Sequence, residues 1–354
     1  MIGDTRPVLI TGGAGFIGSN LADRLAGEGH EILVYDALAR PGVERNLAWL
    51  KQRHASRITH IAGDVRDEDE VVRAAADAKA VFHLAAQVAV TTSLVDPRED
   101  FDINVRGTIN LLDAVRTKTE PVPVIFASTN KVYGDLADIE MDTLHDRHEP
   151  KSFAARRGIG EDRPLDFHTP YGCSKGAADQ YVLDYARSFD IPTCVFRMSC
   201  IYGQRQMGTE DQGWVAHFLI RALQGQPITI YGDGRQVRDI LDVRDAVDAY
   251  VRALGNIDVV RGRAFNLGGG PTNAVSLLEL IDEMGSIAGR DIELRFEDWR
   301  PGDQRWFVAD TSAVRAILGL ANPRGWREGV ARLVDWLASD RGLELRPALA
   351  SAAQ

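Results

Sequence analysis

Cysteine is scarce: Cys173, Cys194 and Cys200 are the only three in 354 residues. Their uneven spacing excludes a disulfide framework and a zinc-binding pattern, and no metal is expected. Long apolar runs are also lacking. No stretch approaches the roughly 18 apolar residues of a membrane span, and the short run before the first glycines is not a secretory signal. Positive charge is in deficit, with 41 Lys and Arg against 51 Asp and Glu for a net charge of −10. That balance argues against nucleic acid or an acidic membrane surface as the main partner. An anionic small-molecule substrate must then be held by arginines placed locally. With 45% hydrophobic and 26% charged residues, the composition suits a cytoplasmic enzyme of one large domain or two tightly joined ones.

What is abundant is glycine in one place. Pro7-Val8-Leu9-Ile10 is a short β-branched apolar run, followed by TGGAGFIG at 11 to 18 and a helical pattern from Asn20 to Ala26. Gly12, Gly15 and Gly18 stand where a strand must turn, where backbone must approach a pyrophosphate, and where helix packs on strand. Phosphate oxygens would take the free amides and positive dipole end of that helix. The next strand, Glu31 to Tyr35, ends in Asp36, about twenty residues on, where a ribose-binding carboxylate belongs. Asp36 would repel a 2′-phosphate, which favours NAD over NADP. Arg40 lies either along the adenosine or in solvent.

Strand and helix signals then alternate, predicting an α/β fold with a Rossmann-type doubly wound parallel sheet. A helical stretch around Glu44 to His54 precedes the strand Arg57 to Ala62, which ends in Asp64 and Val65. A helix near Asp67 to Ala76 leads into Ala80 to Leu84 and the small turn Ala85-Ala86-Gln87, which lets backbone pass close to a cofactor. Asp96 to Thr117 reads as one long helix, capped by Asp96 with Pro97 at its first position. Pro123 to Ala127 and Pro192 to Phe196 are further strands. Residues 135–168 are long, charged and weakly periodic, and are expected to pass over the site. Beyond Cys200 short strands mix with helices near 213–223, 243–254, 276–288 and 326–337. The expected division is a dinucleotide-binding unit over 1–200, rejoined by 238–268, a smaller mixed α/β substrate-binding unit mainly over 201–340, and a flexible tail over 341–354.

Tyr171-Gly172-Cys173-Ser174-Lys175 carries the chemistry. Tyr171 and Lys175 are at i and i+4 on a helix, so their side chains share one face. A phenol with a pKa near 10 is a poor base at neutral pH. An ammonium one turn away, helped by a cationic nicotinamide, would favour the phenolate by about 4 kcal/mol at an effective dielectric near 20.

The glycine-rich turn, Asp36, STNKVYGDL at 128–136 and PLDFHTPYGCSKGAADQYVLDYAR at 164–187 together resemble the extended short-chain dehydrogenase/reductases that act on nucleotide sugars. The resemblance runs from residue 7 to about 338. TEDQGWV at 209–215, GDGRQVRD at 232–239 and RPGDQR at 300–305 narrow it to the subgroup that inverts C2 of CDP-paratose and CDP-tyvelose. It implies an NAD-dependent epimerase (an isomerase) of polysaccharide biosynthesis, with UDP- or GDP-hexose 4-epimerisation as the alternative. Thr129 would hydrogen-bond the reacting hydroxyl, Tyr171 would take its proton, and Lys175 would hold the cofactor ribose. Phe16, Ile17, Asp64, Val65, Leu84, Gln87 and Asn104 complete the cofactor set.

Asn130 and Lys131 stand where 4,6-dehydratases carry Asp-Glu, an acid and base that eliminate water, so dehydration is not expected. Asn130 is a candidate sugar contact. Cys200 stands where 4-epimerases of the UDP-galactose type carry Asn. Arg238 and Arg300 would embrace the diphosphate, with Arg205, Arg235 and Arg305 as weaker candidates. Val215 and Phe218, nearly one turn apart, would either sandwich the base or pack the core, and the resemblance adds Gln212, Gly213 and Trp214. Nothing in spacing separates cytosine from uracil or guanine. A homodimer or homotetramer is implied, paired through the helices over 96–117 and 171–188.

Overall fold

A computed structural model describes residues 4–342. Seven parallel strands form the central sheet. Their order across it is Arg263–Leu267, Thr193–Met198, Val124–Thr129, Ala80–His83, Val8–Thr11, Ile32–Tyr35 and Ile58–Ile61. The direction of winding reverses beside Val8–Thr11, because the chain first adds strands on one side and then returns to Ala80–His83 on the other. A crevice opens at such a reversal, outside the carboxyl ends of the strands. Both faces of the sheet are covered, one by the core around Val8, Ile10, Phe82 and Phe196, the other by that around Leu9, Val81, Val124 and Val195. Continuous burial along Val8–Thr11, Ile32–Tyr35 and Ala80–His83 explains why these segments read as apolar runs rather than as alternation.

The expected helix over 96–117 is interrupted. Asp96 caps its start by accepting from the amides of Arg98 and Glu99. The run then passes from Pro97–Phe101 through a π turn at Asp102–Arg106 into Gly107–Arg116. Wide turns of this kind gather at functional sites, and this one carries Asn104.

The smaller unit packs Trp214–Gln224, Leu277–Ala288 and Trp326–Arg341 around a core containing Phe218, Leu280 and Leu333. Its strand Val237–Asp242 runs parallel to Cys200–Tyr202, which itself follows directly on a strand of the main sheet. The two units are thereby stitched by backbone. The tail expected from residue 341 lies outside the described residues, except for Arg341 and Gly342. Among the described residues no helix is long and apolar enough to cross a membrane.

Residues 135–168, expected to pass over the site, contribute no lining residue to the main cavity. Their hairpin, Met141–Thr143 with His148–Pro150, docks on the smaller unit. The amide of His148 donates to the carbonyl of Arg235 at 2.8 Å, and Arg235 Nε donates back to the carbonyls of Leu144 and His145. The segment also buries Leu136 and Ile159, with Ile139, Met141, Leu165 and Phe167 partly buried, against Val237, Trp306 and Phe307, but these apolar residues fall at no regular spacing.

His83 ties the sheet to the π-turn helix. Its Nδ1 meets Thr11 Oγ1 at 2.7 Å and its Nε2 meets Thr108 Oγ1 at 3.1 Å. The Thr108 hydroxyl donates to the carbonyl of Asn104, so it accepts from Nε2–H, and Nδ1 accepts from Thr11. Burial, helped by the charge of Lys175, pushes the imidazole down to about 3. The folded value lies below the unfolded one of about 6.5. This contribution is therefore complete above about pH 6.5 and is lost as pH falls through 3. Between pH 7 and pH 4 the loss is about 3 kcal/mol. Urea unfolding at the two pH values should show the wild type losing that much more stability than His83→Gln.

Candidate active site

One cavity of about 610 Å³ runs from the glycine-rich turn across the sheet ends into the smaller unit. At one end Gly12 has φ of +68°, and a Cβ there would lie 2.7 Å from the amide nitrogen of Ala85. The turn and the small residues Ala85 and Ala86 are thus fitted to each other. A Cβ on Gly18 would lie 2.3 Å from the carbonyl oxygen of Gly12, which fixes helix against strand. Gly15 begins the helix Phe16–Gly27 with no side-chain cap, leaving first-turn amides to face the cavity. Asp36 ends its strand and accepts from the amides of Ala14 at 3.0 Å and Leu38 at 2.8 Å. Phe16, Ile17, Arg40, Asp64, Val65 and Leu84 also line this end. Arg40 borders the cavity with its side chain still exposed to solvent, within reach of the charge of Asp211. The Asp64 carboxylate is engaged by Arg66.

Gln87 and Asn104 do not line the cavity. Asn104 Oδ1 accepts from the Gln87 amide at 3.0 Å, and Asn104 Nδ2 donates to the Gln87 carbonyl at 3.1 Å and to Ser174 Oγ at 3.0 Å. The pair shapes the turn from behind, because the π turn aims Asn104 at backbone.

Tyr171 and Lys175 lie at the middle, on the helix Thr169–Phe189, and both are buried. Ser93, which sequence reasoning missed, fixes the start of this helix by accepting from the Tyr171 amide at 3.2 Å. Thr129 closes the facing strand, and its Oγ1 accepts from the Lys131 amide at 3.2 Å. Burial pushes the Tyr171 phenol up to about 12, with a hydrogen bond to Thr129 working the other way. Burial also pushes Lys175 down to about 7, opposed by Asp179 and Asp100. Within the protein alone, desolvation therefore outweighs the expected help from Lys175. Its ammonium lies over the Phe126 ring, 4.1 Å from the centroid.

The far end holds the remaining predicted residues: Asn130, Cys200, Gln212, Gly213, Val215, Phe218, Arg238 and Arg300. Arg238 is buried and donates to Asp303 at 2.8 Å, and Lys131 Nζ lies 3.6 Å from the same carboxylate. Lys131 also donates to the carbonyl of Gly302 at 2.9 Å. The Arg300 guanidinium stacks on Tyr231, 3.7 Å from the ring centroid. Arg205 stands elsewhere, stacked on Trp49 at 3.9 Å in a left-handed backbone conformation. Asp303, Tyr231 and Lys131 were not foreseen as lining residues. The motifs RPGDQR and STNKVYG contained two of them, but their mutual contact joins segments about half the chain apart.

Glycine cradle, strand-end carboxylate, and Thr-Tyr-Lys at the crossing of two halves fit a dinucleotide-dependent redox site, with two arginines at its far end. Residues 8–268 match the NAD dependent epimerase/dehydratase family, and the chain belongs to it. It is 43% identical over 339 residues to the CDP-paratose 2-epimerase of Salmonella typhi, covering 94% of this chain and 99% of that one. It is 32% identical to the UDP-glucose 4-epimerase of Mycolicibacterium smegmatis, covering 93% and 97%. Among solved structures, UDP-glucuronic acid 4-epimerase from Bacillus cereus in complex with UDP-glucuronic acid and NAD superposes with a TM-score of 0.80 at 27% identity. That match covers 94% of this chain and 99% of the other. NAD is the cofactor of the family, and the cradle, the uncapped helix start and Asp36 fit it.

Proposed function

We propose that the protein inverts C2 of CDP-paratose to give CDP-tyvelose, or the reverse. The 43% identity across nearly both full lengths carries this reading. The side chains after Thr129 support it, because Asn130 and Lys131 are tied to Gln304 and Gly302 and offer no acid and base for elimination. When bound, NAD supplies a hydride acceptor, a hydride donor and a positive ring beside the phenol. The chain's residues do the rest. Thr129 orients the C2 hydroxyl, Tyr171 takes its proton, and Lys175 favours the phenolate. The 2-keto sugar turns in the cavity, and Tyr171 returns the proton to the new hydroxyl. The hydride is returned as well, so no external oxidant is consumed.

Arg238 and Arg300 hold the diphosphate in this scheme. Arg238→Ala should raise KM about tenfold to a hundredfold, the scale of a charged hydrogen bond, with NAD retention unchanged. An unaltered KM would remove Arg238 from the clamp. We place the protein in the cytoplasm as a homodimer or homotetramer, paired through Pro97–Phe101, Gly107–Arg116 and Thr169–Phe189, on which Phe101, Tyr181 and Phe189 are exposed.

Proton NMR of the purified protein with CDP-paratose in deuterated water, without added NAD, tests the reading. Inversion at C2 with no deuterium uptake is expected. Deuterium at C2 would sink the hydride route, and no inversion by protein shown to hold NAD would sink the substrate assignment.

A further inference from the structure

The wall beside the reacting position is built from Met198, Cys200 and Trp214, side chains with little free hydrogen-bonding capacity. Thr129 pairs with Met198 across the sheet, so the residues just after Met198 flank the hydroxyl that Thr129 and Tyr171 would hold. Met198 and Cys200 line the cavity there, together with Trp214. The Trp214 Nε1–H is already used, donating to Cys200 Sγ at 3.3 Å. Burial pushes the Cys200 thiol up, which keeps it neutral. Trp214 is braced edge-on by Phe218, with ring centroids 5.6 Å apart.

The polar side chains around this wall are committed inward. Ser128 donates to Asp179 at 2.8 Å, Ser199 to the carbonyl of Asp239 at 3.0 Å, and Asn130 to Gln304 at 3.1 Å. Lys131 is held by Gly302. One cavity hydroxyl stands apart. Thr91 Oγ1 is buried without a partner, on the short helix whose Ser93 anchors the Tyr171 amide. Among amides, the Oε1 atoms of Gln206 and Gln236 on the cavity lining are also unpaired, as acceptors only. A sugar hydroxyl pressed against the wall would lose its water and find no replacement, a cost of about 1–3 kcal/mol each.

We infer that Cys200 and Trp214 form an apolar wall that selects a sugar deoxygenated near its reacting carbon, with Thr91 left to hold one further hydroxyl. This rests on the C2-epimerase reading and deepens it by naming the residues that set sugar selectivity. The wall also serves the turn between half-reactions, since a keto sugar lying on non-directional contacts breaks no hydrogen bond there as it rotates.

CDP-paratose and CDP-glucose differ only in the oxygens at C3 and C6, so the base and diphosphate contacts are common to both. Calorimetric titration of the NAD-loaded protein should show CDP-glucose binding about tenfold to a hundredfold more weakly. Cys200→Asn, which adds a carboxamide donor and acceptor, should narrow that ratio about tenfold, whereas Cys200→Ala keeps the wall apolar and preserves the preference. Equal affinities in the wild type, or an unchanged ratio in Cys200→Asn, would overturn the inference. The two readings fail separately. Tighter binding of CDP-paratose without inversion would leave the wall and remove the C2 activity, and inversion with equal affinities would do the opposite.

Discussion

Replacing Tyr171 with phenylalanine is expected to lower kcat by about 10²–10⁴-fold, the contribution of a positioned acid–base group, while NAD remains bound. The substitution removes one oxygen and little else. The ring keeps its packing, and the Ser93 contact to the residue 171 amide is a backbone contact that the variant retains. Thr129 still presents its hydroxyl, so substrate binding should hold and the loss should fall on kcat rather than on KM. The residual rate should also lose the pH dependence that proton transfer through the phenol imposes. Near-complete activity in this variant would exclude Tyr171 as the group that moves the proton. The size of the expected effect follows from burial. The phenol is buried and pushed up to about 12, so its proton must pass to the substrate rather than to bulk water.

The cofactor end was legible in the sequence because its parts are local. Gly12, Gly15, Gly18 and Asp36 fall within one strand–helix–strand unit, and backbone geometry dictates glycine at Gly12 and Gly18. Tyr171 and Lys175 were legible for the same reason, being one turn apart on one helix. The arginines were legible as residues but not as partners. That Arg238 shares Asp303 with Lys131 joins segments far apart in the chain, and no periodicity encodes it. The π turn at Asp102–Arg106 was hidden because local propensity there reads as ordinary helix, and only the tertiary pull of Asn104 on the Gln87 backbone marks it. Residues 135–168 misled because charge and weak periodicity describe any surface segment. Their partners are the Asp233–Arg235 turn, met through main-chain atoms and the buried His148, and the apolar cluster around Val237, Trp306 and Phe307, all distant in the chain.

The largest stability effect should come from a residue outside the cavity. Asp179 is fully buried and accepts from Arg197 Nε at 2.9 Å and NH2 at 3.0 Å, and from Ser128 Oγ at 2.8 Å. Arg197 reaches on to the Tyr133 hydroxyl, and that hydroxyl donates to Asn266. Asp179→Ala leaves the Arg197 charge buried and unpaired, so unfolding by denaturant should show a loss of about 3–5 kcal/mol. Removing both charges, as in the double variant Asp179→Leu with Arg197→Met, should cost less than the single change, because no bare charge then remains. Strictly additive losses would mean that the pair carries no coupling and that each side chain acts alone. The same network bears on catalysis by position. Asp179 follows Lys175 by one helical turn, and through Ser128 it braces the residue next to Thr129. A folded Asp179 variant should therefore lose kcat as well as stability, with the loss largest where Lys175 must stay charged against its own burial.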